Sequence, residues 1–163
     1  MALIVAPADG AESYASVGAA DTYHAARGNT SWAALTTPRK EQLLRIATDY
    51  MMAAYGGLWI GEILDGNQRL DWPRVGAMVN GWLLDSAAVP LAVANACAEL
   101  ALRAATGNLY VDVDSQQVLS ERVGPIAVTY ANRSSGQTRF SYVDDMLGRY
   151  LRGFHGQTLL VRG

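Results

Sequence analysis

The chain has 163 residues, 50% of them apolar and 17% charged, the profile of one folded domain rather than of a disordered chain. A single cysteine, Cys97, and two histidines, His24 and His155, exclude an internal disulfide framework and any cysteine-based zinc cluster. The formal net charge is −2, which is not the balance of a chain built to grip phosphates.

Charge is unevenly spread. Residues 1–121 carry 7 basic and 13 acidic side chains, whereas residues 122–163 carry 6 and 2, and every basic residue but Lys40 is arginine. A two-signed chain suits head-to-tail association between copies; the plainer reading is ordinary surface charge. The short apolar start, Met1–Ala6, has no basic side chain and is interrupted by Pro7, so it is too short for the core of a signal peptide. No apolar run approaches the roughly 18 residues of a membrane span. A soluble chain, made in a reducing compartment and without a membrane partner, is expected.

In chain order, residues 1–15 read as an extended arm, with Leu3-Ile4-Val5 ahead of Pro7 and Gly10. Ser16 is a good N-cap for a helix over 16–26, stopped by Gly28. Trp32 and Leu35 fall in a short turn or helix. The clearest helix spans 38–55, with Thr37 as cap and Pro38 in the first position. Its apolar stripe is Leu43, Leu44, Ala47, Tyr50, Met51 and Ala54, with Arg39, Lys40, Glu41, Arg45 and Asp49 on the other side. Residues 58–88 read as irregular and hold Trp59, Trp72 and Trp82, which either bury the loop against the helices or, if exposed, mark an interface. An alanine-rich helix over 90–106, closed by Gly107, has the small side chains of a central core helix. The best strand signal, Val123, Ile126, Val128 and Tyr130, predicts a hairpin over 118–140. Gly124-Pro125 would be a bend, residues 132–136 the reversal and Thr138–Phe140 the return strand. Ser141 caps a last helix over 142–151 with Val143, Met146, Leu147 and Tyr150 inward, and residues 154–163 form a tail. The fold class is mainly α (α+β): a single domain, 1–163, built as a bundle of four to five helices carrying a β-hairpin.

The search for chemistry finds no nucleophile elbow, no phosphate-binding loop and no zinc-protease motif. Asp112 and Asp114 begin like a calcium loop, but Gln117 and Val123 stand where that loop needs Gly and Glu. Asp144-Asp145 in a helix's first turn complement the helix dipole. His24 reads as a packed, partner-bonded histidine and Cys97 as a buried small hydrophobe. Arg133 and Arg139, with Tyr130 and Phe140 near by, could hold single-stranded nucleic acid, though the acidic balance favours a plain surface hairpin. No catalytic residue, cofactor or metal ligand emerges, and no enzyme is expected.

Several segments share one pattern: Ser13-Tyr14-Ala15-Ser16 with Ala20-Asp21-Thr22-Tyr23 and Ala25-Ala26-Arg27-Gly28; Lys40 to Leu44 with Ala47-Thr48-Asp49-Tyr50; Gln68-Arg69-Leu70-Asp71-Trp72-Pro73-Arg74; Val89-Pro90 with Ala98-Glu99-Leu100-Ala101; and Arg122-Val123-Gly124-Pro125-Ile126 with Tyr130. Together they resemble a tailed-bacteriophage family described as DnaT-like single-stranded-DNA-binding proteins, which looks like the head–tail connector, or adaptor, proteins of long-tailed phages. Ile60 and Glu62 depart from the basic residues expected after Trp59. The resemblance implies a structural virion protein: a dodecameric ring docked under the portal protein, meeting a tail-side stopper or tail-terminator protein, with genomic DNA passing through its lumen. It implies a place in the virion neck after a stage in the host cytoplasm. The family description itself implies the rival function, a replication protein that binds single strands. For the ring, the candidate subunit or portal contacts are Leu3, Ile4 and Val5 in the arm, Arg122, Arg133, Arg139 and Arg152 in the basic quarter, and Leu159, Leu160 and Val161 in the tail.

Overall fold

The structure is a computed structural model that describes residues 2–110, 120–123, 126–129 and 140–153, with backbone alone for 120–123 and 126–129. The elements are α1 (Val17–Ala25), α2 (Thr30–Ala33), α3 (Thr37–Tyr55), β1 (Glu62–Ile63), β2 (Arg74–Val75), β3 (Met78–Val79), β4 (Trp82–Leu83), α4 (Leu91–Ala104), β5 (Ser120–Val123), β6 (Ile126–Thr129) and α5 (Ser141–Leu147). The class is mainly α with small antiparallel hairpins, as the sequence predicts. The residues fall into two compact units, one running to Leu109 and resuming at Phe140, the other Tyr110–Arg139.

The first unit is helical. α3 and α4 pack together, and α4 also meets α1 and α5. Close approach follows from composition: Ala47 on α3 and Ala96, Ala98 and Ala101 on α4 are buried, with Leu43, Leu44, Met51, Val93 and Leu100 filling the space between larger gaps. The side chain of Ser16 accepts a bond from the Ala19 amide, so the predicted N-cap is in place. α3 begins one residue earlier than expected, with Thr36 at the cap position and Pro38 in the first turn. Pro90 stands at the N-cap of α4 rather than inside it. Ser141 is the first residue of α5, not its cap, and the helix passes into a 3-10 turn over Gly148–Tyr150.

Three expectations change. Residues 3–15 are not an extended arm: Val5 bridges Ser13, the Glu12 amide donates to Ile4 O at 2.8 Å, and Ala11, Tyr14 and Ala15 are buried in the core. The aromatic ring of Tyr14 is too large to leave in water when a core lies beside it. Lys40 leaves the solvated face of α3. It is 8% exposed because its Nζ donates to Asp21 Oδ1 at 2.8 Å while lying 5.6 Å from the Trp32 ring centroid. Residues 58–88 are not structureless: β1 pairs antiparallel with β2, and β3 with β4.

The described part of the second unit is one antiparallel hairpin, Ser120↔Thr129 to Val123↔Ile126. Val123 and Ile126 thus stand on partner strands, where the sequence reading has one bent strand; residues 124–125 lie outside the described residues. The predicted turn at 132–136, the beginning of the return strand and the tail at 154–163 lie outside the described residues. Phe140, at the end of that predicted strand, instead stands at the N-cap position of α5.

Candidate functional site

The most specific sequence motif, Gln68 to Arg74, builds a scaffold. Arg74 is buried and its guanidinium ties three carbonyls together: Nε donates to Ile60 O at 2.8 Å, Nη1 to Asp71 O at 3.1 Å and Nη2 to Gly61 O at 2.9 Å. Gln68 Nε2 donates to Leu70 O and Pro73 O. Asp71 accepts from Trp59 Nε1 at 3.2 Å, and its amide donates to the Tyr14 hydroxyl at 3.1 Å. Burial pushes the Asp71 carboxyl up, opposed by the Trp59 bond and the Arg74 charge. Trp59 and Trp72 are fully buried and meet edge to face at 5.7 Å, with Tyr150 packed on Trp72. The chain after α5 closes this scaffold: the Ile60 amide donates to Tyr150 O at 3.0 Å and the Arg152 amide to Leu58 O at 2.6 Å.

On this base stands an uncovered hairpin. β3 and β4 pair Met78↔Leu83 and Val79↔Trp82 across Asn80-Gly81. Asn80 has φ 53° and Gly81 φ 82°, the left-handed pair that a tight two-residue turn requires. The Leu84 amide donates to Ala77 O at 2.8 Å and closes the hairpin's base. Its side chains face out: Trp82 is 79% exposed, Leu83 68% and Met78 57%. Val75 and Ile63 on the neighbouring strands are exposed as well. A single exposed leucine means little, but an indole held out by a fixed turn beside other large apolar groups is the composition of an interface centre. Covering about 200 Å² of one such ring is worth at most about 5 kcal/mol of transfer free energy.

The sequence singles out Trp82 by residue type, and its hairpin is not among the expected elements. The available signal was Asn80-Gly81 flanked by Met78-Val79 and Trp82-Leu83, a strong short-range hairpin signature.

The predicted contact residues are not brought together. Leu3 packs on the core, Val5 is half-buried in its bridge to Ser13, and only Ile4, 41% exposed, faces out. Arg152 is engaged within its own chain, donating from Nη2 to Gly61 O at 2.8 Å and to Glu62 Oε1 at 3.0 Å. Arg122 lies on β5 in the second unit. Arg133, Arg139, Leu159, Leu160 and Val161 lie outside the described residues.

Other polar clusters serve the fold. His24 is buried between Ala98 O, 3.0 Å from Nε2, and Asn29 Nδ2, 2.9 Å from Nδ1. An amide nitrogen can only donate, so Nδ1 accepts and Nε2 carries the proton. Cys97 sits with Thr48 and Ser13, and burial raises its thiol pKa. The Tyr23 hydroxyl donates to Glu99 Oε1 at 2.9 Å, and Arg103 pairs with Glu99. Asp144 accepts from the Tyr55 hydroxyl at 2.7 Å. Among the described residues no cluster of His, Cys, Asp or Glu could hold a metal ion, and no helix is long and apolar enough to cross a membrane.

Comparison with curated proteins and with solved structures returned no match. The model of the family described as "Putative DnaT-like ssDNA binding protein" matches residues 1–163, the whole chain, and the protein belongs to that family.

Proposed function

We propose that the protein is a structural subunit of the neck of a long-tailed phage particle. In this reading it is a head–tail connector that closes into a ring of about twelve copies. The ring sits between the portal and the tail-side stopper or terminator protein, leaves a lumen for genomic DNA, and catalyses no reaction. Before assembly the subunit resides in the host cytoplasm. The observation that carries the reading is the β3–β4 hairpin, which holds Trp82, Leu83 and Met78 in water on a hydrogen-bonded base. Such a surface suits a protein partner better than a polyanion. Residues 2–109 and 140–153 carry 9 basic and 12 acidic side chains, a balance that lets DNA slide past rather than stick.

The family description favours a second reading, a single-strand-binding replication protein. One groove of about 560 Å³ suits it in part, being lined by Arg27, Arg103 and the exposed Tyr142. Glu99 lines the same groove and pairs with Arg103, while the Arg27 guanidinium lies 3.5 Å from the Tyr23 ring centroid. Both cations are thus partly spent within the chain. Titration with a single-stranded oligonucleotide at two salt concentrations separates the readings. The connector reading expects weak binding at low salt that vanishes at physiological salt. Tight binding that persists there, with a steep salt slope, would establish the replication reading in its place.

A further inference from the structure

From the open edges of the β3–β4 hairpin and the point where the described chain ends, we infer that residues 158–161 of the same chain lie against this hairpin as a third strand and cover it in the free subunit. The inference concerns the single subunit and stands whether or not copies later close into a ring.

Among the described residues β3 and β4 pair only with each other, so each keeps an outer edge whose main-chain N–H and C=O groups suit a further strand. Two strands alone are marginal in water, and a third strand with apolar side chains supplies what they lack. Successive side chains point to opposite faces. Trp82, 79% exposed, and Leu83, 68% exposed, are neighbours on β4, so both faces of the hairpin are apolar and uncovered. A strand that fits must therefore be apolar at consecutive positions rather than alternate ones. Thr158-Leu159-Leu160-Val161 has that run, with a β-branched residue at each end. Asp85, exposed two residues beyond Leu83, offers a carboxylate to Arg162, which follows the run.

The described chain ends beside the hairpin's base. Its last residue is Gly153, and Arg152 just before it donates to Gly61 O at 2.8 Å. Gly61 in turn stands against Ala77: a Cβ added to Gly61 would lie 2.8 Å from the Ala77 amide nitrogen, and Ala77 O takes the Leu84 amide that closes the hairpin. An extended chain from Gly153 to Leu159 covers up to about 20 Å, whereas strands this short, with their turn, are about 10 Å long. The run therefore reaches the hairpin of its own chain. A segment on so short a tether presents itself at an effective concentration of the order of millimolar, far above that of a second copy in dilute solution. Its own tail is accordingly the occupant, and a neighbour in an assembly has to displace it. Until then the apolar edge is kept from pairing with other chains.

Acrylamide quenching of tryptophan fluorescence tests this with the full chain. Of the four tryptophans, Trp32, Trp59 and Trp72 are fully buried, so Trp82 is the one whose access to quencher can change, and Trp82→Phe identifies its share of the signal. In wild type kept monomeric by dilution, as sedimentation verifies, Trp82 should be shielded. Leu160→Asp puts a charge into the apolar run and should raise its quenching several-fold, while Leu160→Val should leave it at the wild-type level. Circular dichroism should give both tail variants the wild-type helical signal. Hydrogen exchange should find the amides of 158–161 protected in wild type and in Leu160→Val, and released in Leu160→Asp. The wild-type readouts need no variant to fold. A wild-type Trp82 as open to acrylamide as in Leu160→Asp, or wild-type amides at 158–161 that exchange like an unstructured chain, overturns the proposal. Shielding that grows only with concentration, together with dimers in sedimentation, also overturns it and assigns the tail to a second copy.

Discussion

Arg74 shows how a residue that looks available for binding can be fully used in holding a fold. All three of its guanidinium nitrogens donate to carbonyls, those of Ile60, Gly61 and Asp71, so the most specific motif of the sequence is structural. Arg74→Met keeps much of the length and removes the donors, leaving buried carbonyls unpaired. It should lower the unfolding free energy by about 3 kcal/mol, read as a reduced urea midpoint with the helical signal retained below it. His24 gives a pH signature. Burial holds its imidazole below the ordinary 6.5, more than the Ala98 bond and the Glu99 charge raise it. The unfolded chain then takes up the proton first, so stability is level above about pH 6.5 and falls as pH drops toward 5. The carboxylates Glu12 and Asp21 start from 4.5 and 3.8 and are held lower by Arg45 and Lys40, so they titrate below that window, while Asp71, raised by burial, takes its proton first in the folded chain and so opposes the loss rather than causing it. His24→Gln should flatten the loss between pH 6.5 and 5, measured by urea unfolding at each pH. The sequence made His24 and Cys97 legible as packed residues because they lie on apolar helix faces. It concealed the burial of Lys40, since the partner, Asp21, belongs to another helix.

At the scale of elements, capped and periodic segments were readable and the tight turns were not. Ser16, Pro38 and Gly28 mark helix ends through local chemistry, and α1, α3 and α4 lie within two residues of their expected bounds, whereas α5 ends at Leu147, four residues before the expected 151, where the chain tightens into a 3-10 turn. The strands of 58–88 are two residues each, too short for any alternation to register, and only the Asn80-Gly81 pair announces one of them. The fold-back of residues 3–15 was hidden because its anchors, Tyr14 and Ala11, find their core only in the tertiary structure. Gly61 is a position the backbone dictates. Its φ is +68°, and an added Cβ would stand 2.7 Å from Val75 O and 2.8 Å from the Ala77 amide nitrogen. Gly61→Ala should therefore cost about 2–3 kcal/mol. It should also speed hydrogen exchange at β1 and β2 well before α3 and α4 are affected.

The helical unit, whose polar groups are largely committed to the fold, carries a hairpin whose largest apolar groups are committed to nothing among the described residues. In the connector reading, that division leaves the interior to stability and the β3–β4 surface to assembly. The candidate site was only half legible in the sequence: Trp82 stood out by type, yet exposure is a property of the packed chain, and Trp59 and Trp72 in the same stretch are buried. The resemblance to phage connectors supplies the setting, and it is the claim on which the account depends most. Cryo-electron microscopy of the neck in intact particles tests it most directly. A connector should appear as a closed ring between portal and tail whose subunits fit α1, α3, α4 and α5 as they pack here, with the β3–β4 hairpin against a neighbouring protein and an open lumen. A neck with no density for this helical unit, in particles whose production nonetheless requires the protein, would contradict it.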